Sequence, residues 1–250
     1  MSKVFVIPDV HLKPWMFDQA AELIDKGSYD AIVCLGDLVD DWDQQSNIEL
    51  YKNTFRTAAS FAKEHQNMFF CYGNHDVSYI WQAMETGYST MARETVIDGL
   101  EQLKVALPPE NSAFIHRIDN VIFSHAGLTL FFVEEFFPDV DEDIDSLIWK
   151  INLCGKEKMW TDVSPIWARP QDGYMPPFAT DYMQVVGHTP VIRPEEKETF
   201  LSLDTFSTYP DGRPVGDQRF VWIDTVKKEW HYVEMNQNEF SKRIFLLIQG

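Results

Sequence analysis

Short apolar runs alternate with polar clusters along the chain, and five of the runs stop abruptly on residues of one chemical kind. Lys3 to Pro8 ends on Asp9-Val10-His11, and Ala31 to Leu35 ends on Gly36-Asp37-Leu38-Val39-Asp40. Met68 to Tyr72 ends on Gly73-Asn74-His75-Asp76, Val121 to Ser124 on His125-Ala126-Gly127, and Met183 to Val186 on Gly187-His188-Thr189-Pro190. Runs of this length, rich in β-branched and aromatic residues and bounded by turn formers, predict strands. Between them the period changes. Trp15 to Lys26 carries Ala20, Leu23 and Ile24 at helical spacing, and Ser46 to Gln66 does so through Leu50, Phe55, Ala58, Ala59 and Phe61. Ser89 to Leu107, ending before Pro108-Pro109, predicts a further helix. Strand–helix alternation predicts an α/β sheet. Strand ends are where such sheets place ligands, so five polar strand ends can converge on one site.

The pattern changes after Leu128. Leu128 to Asp181 is aromatic and acidic, with several prolines, and is expected to form helical turns and loops over the strand ends, covering the pocket or only the core. Asp139 to Asp145 is expected to be a solvated loop. From Phe200 to Met235 three stretches alternate like strands: 200–204, 219–224 and 229–234. With turn residues Pro210-Asp211-Gly212 and Pro214 they predict an antiparallel meander closing a second sheet. A single domain over residues 1–250 is expected, with 128–181 as a pocket-covering insertion.

Composition narrows the class. Apolar residues make up 45% of the 250 and charged residues 24%, as in ordinary globular proteins. The most apolar tail, Ile244 to Ile248, is far shorter than the roughly 20 residues of a spanning helix, so no membrane partner is expected. The first residues lack the features of a secretory signal. Cys34 and Cys71 sit inside apolar runs and read as buried thiols rather than disulfides, which makes a cytoplasmic location the expectation. Net charge is −18, from 39 acidic against 21 basic residues, with no Lys/Arg cluster. Such a field repels polyanions, so no nucleic-acid partner is expected.

The polar strand ends carry the chemistry. Asp9 and His11 lie two apart, a spacing that on a strand puts both on one face. Asp37 has two carboxylate oxygens and can bridge two cations; Asn74 offers an amide oxygen; His125 and His188 add imidazoles. Carboxylate, amide and imidazole donors without thiolate suit manganese, iron or zinc better than calcium or magnesium. Two ions about 3.5–4 Å apart would suit such a set, as in metal-dependent hydrolysis of phosphate esters.

Taken together, Asp9-x-His11, Gly36-Asp37-x-x-Asp40, Gly73-Asn74-His75-Asp76, Ser124-His125-Ala-Gly and Gly187-His188-Thr-Pro resemble the calcineurin-like metallophosphoesterases, in that family's order, over residues 9 to 190. Gly187-His188-Thr189-Pro190 and Leu203-Asp204-Thr205 are similar to the bacterial and phage phosphoprotein-phosphatase branch, of the lambda phosphatase and symmetrical diadenosine tetraphosphatase type. The resemblance implies two packed mixed β-sheets flanked by helices, a four-layer sandwich. It implies one metal on Asp9, His11 and Asp37, and a second on Asp37, Asn74, His125 and His188, manganese first. A hydroxide bridging the ions would attack phosphorus, His75 would protonate the departing alkoxide, and Asp40 would hold His75. The implied activity is hydrolysis of a phosphomonoester, on a phosphorylated small molecule or on phosphoserine, phosphothreonine or phosphotyrosine of a protein. The alternatives are dinucleoside polyphosphate hydrolysis, cleavage of a cyclic-nucleotide or nucleic-acid phosphodiester, against which the missing second His in Gly187-His188-Thr189-Pro190 and the charge of −18 both count, and a non-enzymatic scaffold of the same fold.

One position departs from the family string Gly-Asp-x-Val-Asp-Arg-Gly. The arginine that would clamp phosphate is Asp41, followed by Trp42. A carboxylate there repels phosphate unless it points away. Arg169, in Trp167-Ala-Arg169, resembles the branch's second phosphate-binding arginine, and Lys52, Arg56 or Arg93 are candidates to replace the missing one. Trp42 is expected to pack in the core, with stacking on an aromatic leaving group as the alternative. His65, His116 and His231 lack motif context.

Overall fold

A computed structural model describes residues 2–139, 143–170 and 175–234. Two mixed sheets form its centre. In the first, β1 (Lys3–Ile7) runs parallel to β2 (Ala31–Cys34), which continues through β3 (Met68–Cys71) to the short β4 (Ser112–Ala113). The second contains β5 (Ile115–Ile118), β6 (Val121–Ser124), β7 (Met183–Val186), β8 (Glu195–Lys197) and β9 (Phe200–Ser202), in the order β5-β6-β7-β9-β8. The first sheet is completed on the other side of β1 by β10 (Val221–Asp224) and β11 (Glu229–Tyr232), both antiparallel to their neighbours.

The uninterrupted apolar runs follow from burial on both faces. Along β1, Val4 and Val6 join Val33, Phe123, Val185 and Leu201 between the sheets, while Phe5 and Ile7 turn toward the helices. That outer face of the first sheet is covered by α1 (Trp15–Ile24), α2 (Ile48–Glu64) and α4 (Arg93–Ala106), with α3 (Asn74–Trp81) between the last two in sequence. On the second sheet's outer face, Phe132, Leu147, Ile151 and Met159 of α5 (Leu130–Phe136), α6 (Ile144–Asn152) and α7 (Lys156–Met159) pack on Ile115 and Ile122. The sandwich of two mixed sheets flanked by helices is therefore present. Among the described residues, no helix is long and apolar enough to cross a membrane. Cys34 and Cys71 are buried free thiols.

Three expectations are corrected. The last three stretches do not form one meander: β9 pairs parallel with β7 in the second sheet, whereas β10 and β11 form a hairpin on the first. The alternating pattern specified strands but not which sheet edge each would join. The helix expected from Ser89 begins at Arg93, because the Ser89 hydroxyl is bonded to the Gln45 carbonyl and its N–H to the Tyr79 hydroxyl. Asp9 and His11 lie beyond the end of β1, in a loop where His11 is left-handed with φ 43°, so strand alternation does not bring them together. Of the acidic run 139–145, residues 140–142 lie outside the described residues. Its end is structural: Asp143 caps α6, and Asp145 pairs with Arg117. The apolar tail 244–248 also lies outside the described residues.

His116 on β5 donates from Nε2 to the Phe70 carbonyl of β3 at 3.0 Å, joining one sheet to the other. Burial pushes its pKa down from 6.5 to about 4. The neutral ring is the folded form, and the unfolded chain takes up a proton first. Its contribution is complete above pH 6.5 and disappears as pH falls to 4. His116→Gln, a neutral donor, is expected to make the loss of stability between those pH values shallower by about 3 kcal/mol, measured by urea unfolding across the range.

Candidate metal centre and cleft

All five polar strand ends meet between the two sheets. Asp9, Asp37 and Asn74 follow β1, β2 and β3 of the first sheet; His125 and His188 follow β6 and β7 of the second. Donor atoms of Asp9, His11 and Asp37 lie within 4.8 Å of one another, as do those of Asp37, His125 and His188. Asp37 belongs to both groups. The sixth donor, the Asn74 amide oxygen, is 3.0 Å from His125 Nε2.

The backbone is bent to achieve this. His11, Asp37, Asp40 and His188 all have positive φ, between 43° and 64°. Such conformations are costly for residues with a Cβ and persist only where surrounding structure enforces them. Asp76 supplies the enforcement for Asp37. Its buried carboxylate accepts from the backbone N–H of Asp37 (2.8 Å), Leu38 (2.9 Å) and Gly73 (2.9 Å), tying the loop after β2 to the loop after β3. Two glycines are required by close approach. A Cβ on Gly73 would overlap the Asp37 carboxylate, and one on Gly187 the Asp9 carboxylate.

Hydrogen bonds fix the imidazole tautomers. His11 Nδ1 faces the carbonyls of Val39 (3.1 Å) and Asp40 (2.8 Å), and His125 Nδ1 faces that of Leu35 (2.9 Å). Both rings therefore donate from Nδ1 and turn Nε2 toward the cluster, the orientation metal-ligating histidines adopt. His125 Nε2 is 3.2 Å from both Asp37 Oδ2 and His188 Nδ1, and 3.0 Å from Asn74 Oδ1. Four nitrogen and oxygen atoms at that separation need a proton or a metal ion among them. Asp9 Oδ1 and His188 Nε2 are buried without a hydrogen-bond partner. The donor set and these orphaned atoms fit divalent ions.

The charge is correspondingly divided. Burial and the neighbouring Asp204 raise Asp9 well above the usual carboxylate range. Asp37 is held far below it: burial pushes upward, but His125 and His75 outweigh that. His125 reaches about 10, where Asp37 and Asp9 overcome burial. His188 is driven well below 6.5 by burial and by the positive charges of His125 and Arg169.

A cleft of about 530 Å³ opens onto this cluster. At its floor His75 Nδ1 is 3.0 Å from Asp40 Oδ2. The other Asp40 oxygen accepts from the hydroxyls of Tyr51 (2.9 Å) and Tyr79 (2.5 Å). Arg169 lines the cleft and donates to the Thr189 hydroxyl at 3.0 Å. Asp41 does not present a free charge. Its carboxylate accepts from Lys13 Nζ (3.0 Å), the Trp42 N–H (2.9 Å) and the Thr208 hydroxyl (3.2 Å). Trp42, expected in the core, is 46% exposed and lines the cleft, its indole N–H bonded to the Thr208 carbonyl at 2.7 Å. Lys52, Arg56 and Arg93 do not line it; they bond Glu49, Asn53 and Glu94 on the surfaces of α2 and α4.

The sequence over residues 2–209 matches the model of the calcineurin-like phosphoesterases. The chain belongs to that family. This phosphoesterase is a hydrolase of phosphoric esters, and its family implies divalent metal ions. Among solved structures, a protein serine/threonine phosphatase from Saccharomyces cerevisiae, described as similar to human phosphatase PP5, superposes with TM-score 0.53 at 14% identity, covering 94% of this chain and 81% of that one. A novel archaeal phosphodiesterase gives TM-score 0.40 at 15% identity, over 93% of this chain and 99% of its own. A metallophosphoesterase from Sphaerobacter thermophilus gives 0.41 at 15%, over 95% and 90%. The likeness to the yeast phosphatase is one of fold. No curated protein matches the sequence of this phosphoesterase.

Sequence reasoning quoted Asp76 without giving it a role and gave none to Lys13, Tyr51 or Tyr79. Asp76 was visible as the last residue of Gly73-Asn74-His75-Asp76; the other three carried no local signal. Asp76→Ala strands three buried backbone donors and is expected to lower stability by about 3–5 kcal/mol in urea unfolding. Asp76→Asn keeps one acceptor oxygen and should lose less.

Proposed function

We propose that the phosphoesterase hydrolyses phosphomonoesters with two divalent ions, manganese first, iron or zinc being compatible with the same donors. Asp9, His11 and Asp37 would hold one ion; Asp37, Asn74, His125 and His188 would hold the other. When bound, the ions supply Lewis acidity, neutralising phosphoryl charge and acidifying the attacking water.

The observation that carries the monoester reading is the His75–Asp40 pair beside the donor cluster. A monoester's alkoxide is a poor leaving group and needs a proton as it departs. His75, oriented through Nδ1 by Asp40, has Nε2 free to give that proton. Tyr51 and Tyr79 hold the Asp40 carboxylate in place. Arg169, steadied by Thr189, binds a non-bridging phosphate oxygen. Thr189 stands in Gly187-His188-Thr189-Pro190, which supports the phosphoprotein-phosphatase branch. A dinucleoside polyphosphate carries several charges, and Arg169 is the one arginine or lysine along the described cleft lining. The monoester reading is therefore preferred over the anhydride one. The full donor set argues against a scaffold. We also place the protein in the cytoplasm and treat the chain as a single domain.

The test is manganese-dependent turnover of p-nitrophenyl phosphate together with metal content by elemental analysis. His75→Asn is expected to lower kcat by about 10²–10⁴-fold with two ions per chain retained. Asp9→Asn and Asn74→Ala should lose metal and activity together. Loss of metal in His75→Asn would remove the general-acid assignment.

A further inference from the structure

We propose that the cleft contains a leaving-group subsite for a cationic alcohol, so that the preferred substrate is a small phosphomonoester carrying an ammonium group. The proposal rests on the monoester reading above and adds what lies beyond the scissile bond.

Three features of the cleft carry it. The first is Trp42. The residue is tethered at its main chain and at its ring, backbone N–H to the Asp41 carboxylate and indole N–H to the Thr208 carbonyl, yet it stays 46% exposed on the cleft wall. An exposed aromatic ring held in one orientation offers a fixed face to a ligand at little cost in side-chain entropy. The second is a pair of carboxylates on the same cleft, Asp43 and Glu85. Among the described residues no ion pair of the cleft engages either, Asp41 being bound to Lys13 and Asp40 to His75, while Glu85 lies near enough to His75 to feel its charge. The third is where these groups sit. A Cβ on Gly87 would lie 3.2 Å from Asp40 Cβ, so the loop bearing Glu85 packs against the residue that holds His75. The Ser89 hydroxyl bonds the Gln45 carbonyl, joining that loop to the one bearing Asp43. The wall is thus built on the side where His75 meets the leaving oxygen.

Arg169, by contrast, stands with Thr189 and His188. The cleft therefore presents a guanidinium beside His188 of the donor cluster, and carboxylates with an indole beyond the leaving oxygen. A zwitterion, with phosphate at one end and ammonium at the other, matches both. An indole face backed by carboxylates is the usual protein answer to an ammonium ion. The same carboxylates repel a leaving group that carries further phosphates.

The test compares phosphocholine with its uncharged carbon isostere, 3,3-dimethylbutyl phosphate, on the manganese-loaded full chain. Binding is measured by calorimetry and turnover as kcat/KM. Phosphocholine is expected to bind about tenfold more tightly than the isostere. Trp42→Ala, and Asp43→Asn combined with Glu85→Gln, should each bring that ratio toward one, while Trp42→Phe keeps most of it. Equal binding of the two probes by the unmutated protein, or a ratio that survives these variants, overturns the proposal. p-Nitrophenyl phosphate separates the two readings. Its manganese-dependent turnover without any phosphocholine preference removes the subsite alone. A phosphocholine binding preference without monoester turnover removes the phosphatase reading and leaves the subsite.

Discussion

Asp37 is the constraint on which the site depends. It is the one side chain common to both donor groups, and each of its parts is committed. One carboxylate oxygen accepts the His75 N–H at 3.0 Å, at the start of α3; the other faces His125 and His11. Its backbone N–H is given to Asp76, and its φ of 47° is one that few residue types hold without such a partner. A buried carboxylate in that position is tolerable only because positive charge surrounds it: imidazolium in the bare protein, metal ions when they are bound. The left-handed backbone at Asp37, the close approach of Gly73 and the Asp76 bonds all serve to hold this one group where several donor atoms crowd together.

Much of this was legible in the chain. Each strand bearing a site motif is buried on both faces, so its apolar run is continuous and its end is marked by the first polar residue. Val121–Ser124 and Met183–Val186 were read to the residue for that reason. Local pattern failed where the outcome depends on a distant partner. Nothing in 219–234 says that β10 pairs with β1 rather than with β9. Nor does Gly73-Asn74-His75-Asp76 look like a helix start until Asp76 is seen accepting the Gly73 N–H. The clustering of Asp9 and His11 was expected from strand geometry, yet it arises in a loop. The donor types were therefore readable, while the backbone that gathers them was not.

Position 41 shows how a substitution can change its meaning in context. On sequence alone, Asp41 placed negative charge where phosphate should bind. In the fold Lys13, 28 residues away, answers it, and the same carboxylate positions Trp42 and Thr208. The position has exchanged a charge that would face the phosphate for an anchor that shapes the wall beside it. Lys13 is 7% exposed and also donates to the His11 carbonyl, so the anchor reaches the metal-type cluster as well.

The division of donors between the sheets has a consequence for how the molecule assembles. Asp9, His11, Asp37 and Asn74 hang from one sheet, His125 and His188 from the other, so the donors proposed for the first ion lie on one sheet while those proposed for the second span both. An ion that needs donors from both has affinity only for the docked sandwich, so its binding energy adds directly to the cohesion of the two layers. Metal supply then acts as a thermodynamic clasp. A chain starved of metal keeps its layers together by the apolar seam of Val4, Val6, Phe123 and Val185 while bearing the mutual repulsion of the groups gathered at its rim.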